Sequence, residues 1–106
     1  MIETMVAFVT CGSEEEAKKI AQAVVGDRLA ACVNVVPGVQ SCYRWEVEVK
    51  WDSEFLLIIK TTAAAIDRVR WRVVKEHSYD VPEFIAFKIE DGSRPYLKWI
   101  SKAVDA

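Results

Sequence analysis

From Val39 onward the chain alternates strictly: Val39, Ser41, Tyr43, Trp45, Val47, Val49 and Trp51 fall on one face, and Gln40, Cys42, Arg44, Glu46, Glu48, Lys50 and Asp52 on the other. Side chains on a strand point to opposite faces in turn, so this predicts one long extended arm with an apolar stripe, entered from Ala30. A bend is expected at Pro37-Gly38, because proline lacks the N–H for a ladder and glycine accepts unusual dihedrals. The arm carries more apolar surface than a short chain can cover by itself. Contact with other copies of the chain is the expected outcome.

The remaining pattern places six more elements. Ile2 to Cys11 is an apolar run ending at Gly12 and reads as a buried strand. Ser13-Glu14-Glu15-Glu16 fits a capping box in which the Ser13 hydroxyl and the Glu16 carboxylate accept otherwise orphan backbone N–H groups, and the three acids suit the positive end of a helix dipole. Capping accounts for that triplet better than a cation site does. Ala17, Ile20, Ala21, Val24 and Val25 then recur at helical spacing, with Gly26 positioned to close the helix. After a turn at Asp52-Ser53, the continuous run Glu54 to Thr61 reads as a central strand, which makes a long β-hairpin with the arm. Ala63 to His77 reads as a helix with Ile66, Val69, Val73 and His77 inward. It stops ahead of Pro82, Glu83 to Glu90 alternates as a strand, and Pro95 opens a last helix through Val104.

Strand, helix, strand, strand, helix, strand, helix is the order of the α+β, ferredoxin-like (βαββαβ) class with an additional C-terminal helix and a long β2-β3 hairpin. The 106 residues suit a single domain over residues 1–106. A formal net charge of −2 lacks the basic footprint of a nucleic-acid binder. No run approaches the length of a membrane span and no secretory leader pattern is present, so neither nucleic acid nor membrane is an expected partner. Cys11, Cys32 and Cys42 are odd in number and in no CxxC spacing, which predicts free thiols in a reducing, cytoplasmic setting.

Candidate chemistry is sparse. There is no glycine-rich phosphate loop, HExxH or GxSxG, and no enzymatic activity is expected. His77, the sole histidine, is a candidate metal ligand, since neutral imidazole is a common one. Cys11 ends a strand beside a helix N-terminus and is a candidate soft ligand, as is Cys32, because thiolate and imidazole suit copper. A nucleophilic Cys32 would require His77 beside it as base. Tyr43, Trp45 and Trp51 are assigned to subunit contact rather than to base stacking, and the basic set Arg68, Arg70, Arg72 and Lys75 to a helix face paired with acids.

Asp27-Arg28-Leu29-Ala30-Ala31-Cys32-Val33-Asn34, Pro37-Gly38, Ser41, Tyr43, Trp45, Lys60-Thr61, His77, Tyr79, Pro82-Glu83 and Tyr96-Leu97 with Trp99-Ile100 together resemble the CutA family of divalent-cation tolerance proteins. The resemblance implies a homotrimer built like the PII-like signalling proteins, with inter-subunit clefts at Tyr43, Trp45, Lys60, His77, Tyr79 and Glu83. It implies a role in tolerance of divalent metal ions, copper among them, with no cofactor required; His77 with Cys11 or Cys32 are the candidate ligands. The alternative is a PII-like sensor or scaffold trimer that takes a small anionic metabolite or a protein partner in the same clefts, with Arg44 and Lys60 as charge partners. The chain departs from the family pattern at Val47, where glycine is usual, and at Trp51. The cysteine and histidine linked with copper in a bacterial member correspond to Val9 and Glu76 here, leaving only His77.

Overall fold

The computed structural model describes residues 3–105. Its elements run β1 (Thr4–Cys11), α1 (Glu14–Gly26), β2 (Cys32–Trp45), β3 (Glu48–Thr62), α2 (Ile66–Glu76), β4 (Ile85–Lys88) and α3 (Arg94–Ala103). The strands form one antiparallel sheet in the order β2-β3-β1-β4. This is the ferredoxin-like arrangement that the element order predicted, with α3 added. The expected strand residue Ile2 lies outside the described residues.

One face of the sheet is the core. Ala7, Val9, Cys11, Leu57 and Ile59 are fully buried there against Ala17, Ile20 and Val24 of α1 and Val69 and Val73 of α2. The 3.6-residue spacing of these helix positions puts them on one stripe, and each buried aliphatic side chain contributes about 1.5–3 kcal/mol. A second small cluster seats α3, with Ile100 and Val104 against Ala31 and Ala65. The alternate residues Val6, Phe8, Leu56 and Ile58 lie on the opposite face and are only half-buried. Beside them on β4, Ile85 and Phe87 are 54% and 46% exposed, with Phe87 edge-on to Phe8.

Several boundaries differ from the sequence reading. The arm does not run on to Asp52: it reverses at Glu46-Val47, so that Trp45 pairs with Glu48, Arg44 with Val49 and Cys42 with Trp51. Paired residues share a face, so Val49 and Trp51 lie on the face away from Tyr43 and Trp45, and the single apolar stripe is in fact divided between both faces of the ribbon. A two-residue reversal shifts the alternation where no periodicity count can see it. The bend at Pro37-Gly38 is present as a bulge on the edge strand, with Gly38 at φ +73°. Helix α1 ends in a left-handed residue that is Arg28 rather than Gly26, while the Leu29 and Ala30 amides both donate to the Val24 carbonyl. Helix α2 starts three residues late and releases His77 into extended backbone, and β4 keeps only four of the eight expected residues.

Candidate functional site

Three side chains from three different elements converge behind the C-terminal end of β1. Cys11 is the last residue of that strand, Glu16 sits in the first turn of α1, and His77 caps α2. One ligand atom from each, the Cys11 Sγ, a Glu16 carboxylate oxygen and a His77 ring nitrogen, lies within 4.8 Å of the other two. His77 Nε2 is 2.7 Å from the Thr10 carbonyl, which only accepts, so that nitrogen carries the proton. Nδ1 then faces the Tyr79 amide at 3.1 Å and Glu16 Oε2 at 3.8 Å.

The capping box forms by halves. Ser13 Oγ accepts the Glu16 amide as expected, but the Glu16 carboxylate turns inward, where Oε1 accepts the Ser78 amide at 2.7 Å. Burial pushes the Cys11 thiol up to about 12, with Glu16 and then Glu54 adding to the shift. Desolvation and nearby carboxylates both disfavour a thiolate, so Cys11 holds its proton until something positive takes its place.

In front of this cluster stands Tyr79. Its ring packs on the His77 imidazole at 4.7 Å, and its hydroxyl donates to Glu54 Oε2 at 3.0 Å. Burial, then the Glu54 hydrogen bond, pushes that phenol up to about 12. Gly12 permits the approach, because a Cβ there would lie 3.0 Å from the Tyr79 hydroxyl. Outside Tyr79 opens a cleft of about 820 Å³ between the hairpin and the segment after α2, lined by Tyr43, Arg44, Trp45, Lys50, Tyr79 and Glu83 among others. Tyr43 donates to Asp52, which raises its phenol pKa.

Of the expected cleft residues, Tyr43, Trp45, Tyr79 and Glu83 line this one space, and His77 lies buried behind it. Lys60 is elsewhere, on the open face of the sheet, bonded to Asn34 and 3.9 Å from Cys32 Sγ. Cys32 therefore stands apart from Cys11 and His77, next to Lys60 and the Tyr96 hydroxyl. The local pattern favours capping over a cation site for Glu16, and it carries no sign of the contacts with Ser78 and His77. Of the basic helix residues, Arg70 pairs with Asp67 and Arg72 with Asp27 and Glu76 as expected, whereas Arg68 donates to the Asp105 backbone carbonyl and Lys75 stands over the Trp71 ring.

The family profile described as "CutA1 divalent ion tolerance protein" matches residues 5–103. The Divalent-cation tolerance protein CutA of Thermus thermophilus is 50% identical over 95 residues, 90% of this chain and 92% of that one. A chloroplastic CutA of Arabidopsis thaliana is 45% identical over 96% of this chain, which spans 56% of that relative's length. A solved structure of the divalent cation tolerance protein from Thermus thermophilus superposes with a TM-score of 0.93 at 47% identity, covering 96% of this chain and 99% of that one. A match across almost every element, at this identity, leaves one assignment: the chain belongs to the CutA1 divalent ion tolerance family.

Proposed function

We propose that the chain catalyses no reaction of its own and acts as a cytoplasmic homotrimer in the response to divalent metal ions, copper among them, with His77 and a cysteine as ligands. The observation that carries the assembly is the open sheet face, where Val6, Phe8, Leu56, Ile58, Ile85 and Phe87 are contiguous and incompletely covered. An apolar patch of that kind marks an association surface. The hairpin adds Trp45 at 57% and Trp51 at 67% exposure, one on each face of the ribbon. Free thiols at all three cysteines suit a reducing compartment.

The reading is tested in two steps. Sedimentation velocity on dilute protein is expected to give one species of three times the 12.0 kDa chain mass; a folded single subunit at nanomolar concentration removes the trimer. Calorimetric titration with copper is expected to give heat that His77→Ala abolishes, and equal weak heats for both proteins remove the metal.

A second reading draws on the cleft. Arg44 and Lys50 line it beside the acids Asp52, Glu54, Asp80 and Glu83, while Lys60 does not, so an anionic metabolite would have to seat on Arg44 and Lys50. A rise in melting temperature with organic acids or nucleotides, lost in Arg44→Ala, supports this sensor function, since a ligand that binds only the folded form stabilises it.

A further inference from the structure

We propose that Cys11, Glu16 and His77 form a metal site wholly inside one protomer, which takes a zinc-like divalent cation through Sγ, Oε2 and Nδ1. The inference rests on the metal-ion reading above and gives it a specific set of atoms.

Orientation is the first argument. A histidine that ligates through one ring nitrogen usually donates its other N–H to a carbonyl or carboxylate, and the Nε2–H bond to Thr10 does this here. It fixes the tautomer that leaves the Nδ1 lone pair facing the cluster. Glu16 is prepared in the same way: the Ser78 amide holds Oε1, and Oε2 is left pointing at Nδ1.

Spacing is the second. Ligands about 2.0–2.3 Å from a tetrahedral ion lie roughly 3.3–3.8 Å from one another. The Nδ1 to Oε2 distance is already 3.8 Å, and Cys11 Sγ lies within 4.8 Å of a His77 ring nitrogen and a Glu16 carboxylate oxygen, so side-chain shifts of about 1 Å bring the three residues to bonding geometry.

Charge decides the kind of ion. Binding breaks the Cys11 S–H bond, forms a sulfur–metal bond and sends the proton to solvent. Thiolate and carboxylate then cancel the two charges of the cation, so the filled site is electrically neutral. Thiolate, imidazole and carboxylate together are zinc's own ligand types, whereas copper(I) favours the sulfur and nitrogen and gains little from Glu16. An ion on Nδ1 also displaces the Tyr79 amide, so occupancy loosens the segment whose ring borders the cleft.

Cobalt(II), which replaces zinc and reports its ligands by colour, is the probe. Titrated into the reduced full-length protein, it should give one equivalent per protomer and a thiolate-to-cobalt charge-transfer band. Cys11→Ala should abolish the band with the far-ultraviolet circular dichroism unchanged, and Glu16→Gln, which keeps an oxygen for the Ser78 amide, should weaken binding at least tenfold. Cys32→Ser and Cys42→Ser should leave the band intact. Hydrogen exchange at the Tyr79 amide should speed up with the ion present. A band that survives Cys11→Ala or disappears in Cys32→Ser overturns this site while leaving a metal function in place, and unchanged Tyr79 exchange overturns the assignment to Nδ1. If neither cobalt, zinc nor copper binds, the metal-ion reading falls as well.

Discussion

Glu46 takes φ +56° at the first position of the hairpin reversal, in the left-handed region where a Cβ crowds the following carbonyl. Glycine relieves that contact and loses more backbone entropy, so Glu46→Gly is expected to stabilise the fold by about 0.5–1 kcal/mol, measured by urea unfolding. The exposed Cys42 and the buried Cys11 are expected to separate by reactivity. At pH 8, iodoacetamide should modify exposed Cys42 quickly and leave Cys11 unmodified until the chain unfolds, because Cys11 is buried and its thiolate forms only near pH 12; peptide mass spectrometry reads this directly. At this scale the sequence was legible where chemistry is local. The Ser13 cap and the bend at Pro37-Gly38 were readable from neighbouring residues, and the inward turn of the Glu16 carboxylate was not, since its partners lie at Ser78 and His77.

Helices α1 and α2 are joined by a core and by a rim of charge, and the two respond to different perturbations. Ile20 is fully buried between α1 and the sheet, so Ile20→Ala is expected to cost about 2–5 kcal/mol, while Trp71→Ala on the exposed side of α2 should change stability little. At the rim, Glu76 bonds Lys19 at 3.4 Å and Arg72 at 3.3 Å, and these partners, Lys19 foremost, hold its carboxyl below the ordinary value. A depressed folded pKa adds stability above the unfolded value of 4.5, and that stability is lost as the pH falls through the lower folded value. Glu76→Gln should therefore lower the melting temperature at pH 7, with the gap closing below the carboxylate range. Element type and order were readable because helical and strand periods differ sharply. The start of α2 and the short β4 were not, because Ala63 to Ala65 suits a helix as well as the turn it forms, and pairing with β1 limits β4 to the four residues opposite Met5 to Phe8.

The molecule measures 46 × 25 × 21 Å with a radius of gyration of 14.3 Å, above the roughly 13 Å of a compact chain of 100 residues. The excess is the hairpin, which projects past the core with little of its own chain to rest on. If the open face forms the subunit contact, replacing both Ile85 and Phe87 by glutamate should dissociate the assembly while sparing the protomer, because both side chains are already half exposed there. Sedimentation velocity checks this, and an unchanged mass would move the contact to the hairpin alone. The sequence by itself determined the order of elements, the apolar stripes of α1 and α2 and the family, since each is written in spacings of a few residues or in motifs carried along the chain. Only the tertiary structure decided which face of the ribbon holds Trp51, that Lys60 lies apart from the cleft, and that residues 11, 16 and 77 meet. Those outcomes depend on strand register and on where separate elements dock, and a one-residue change in register reverses every side chain without altering the pattern from which it is read.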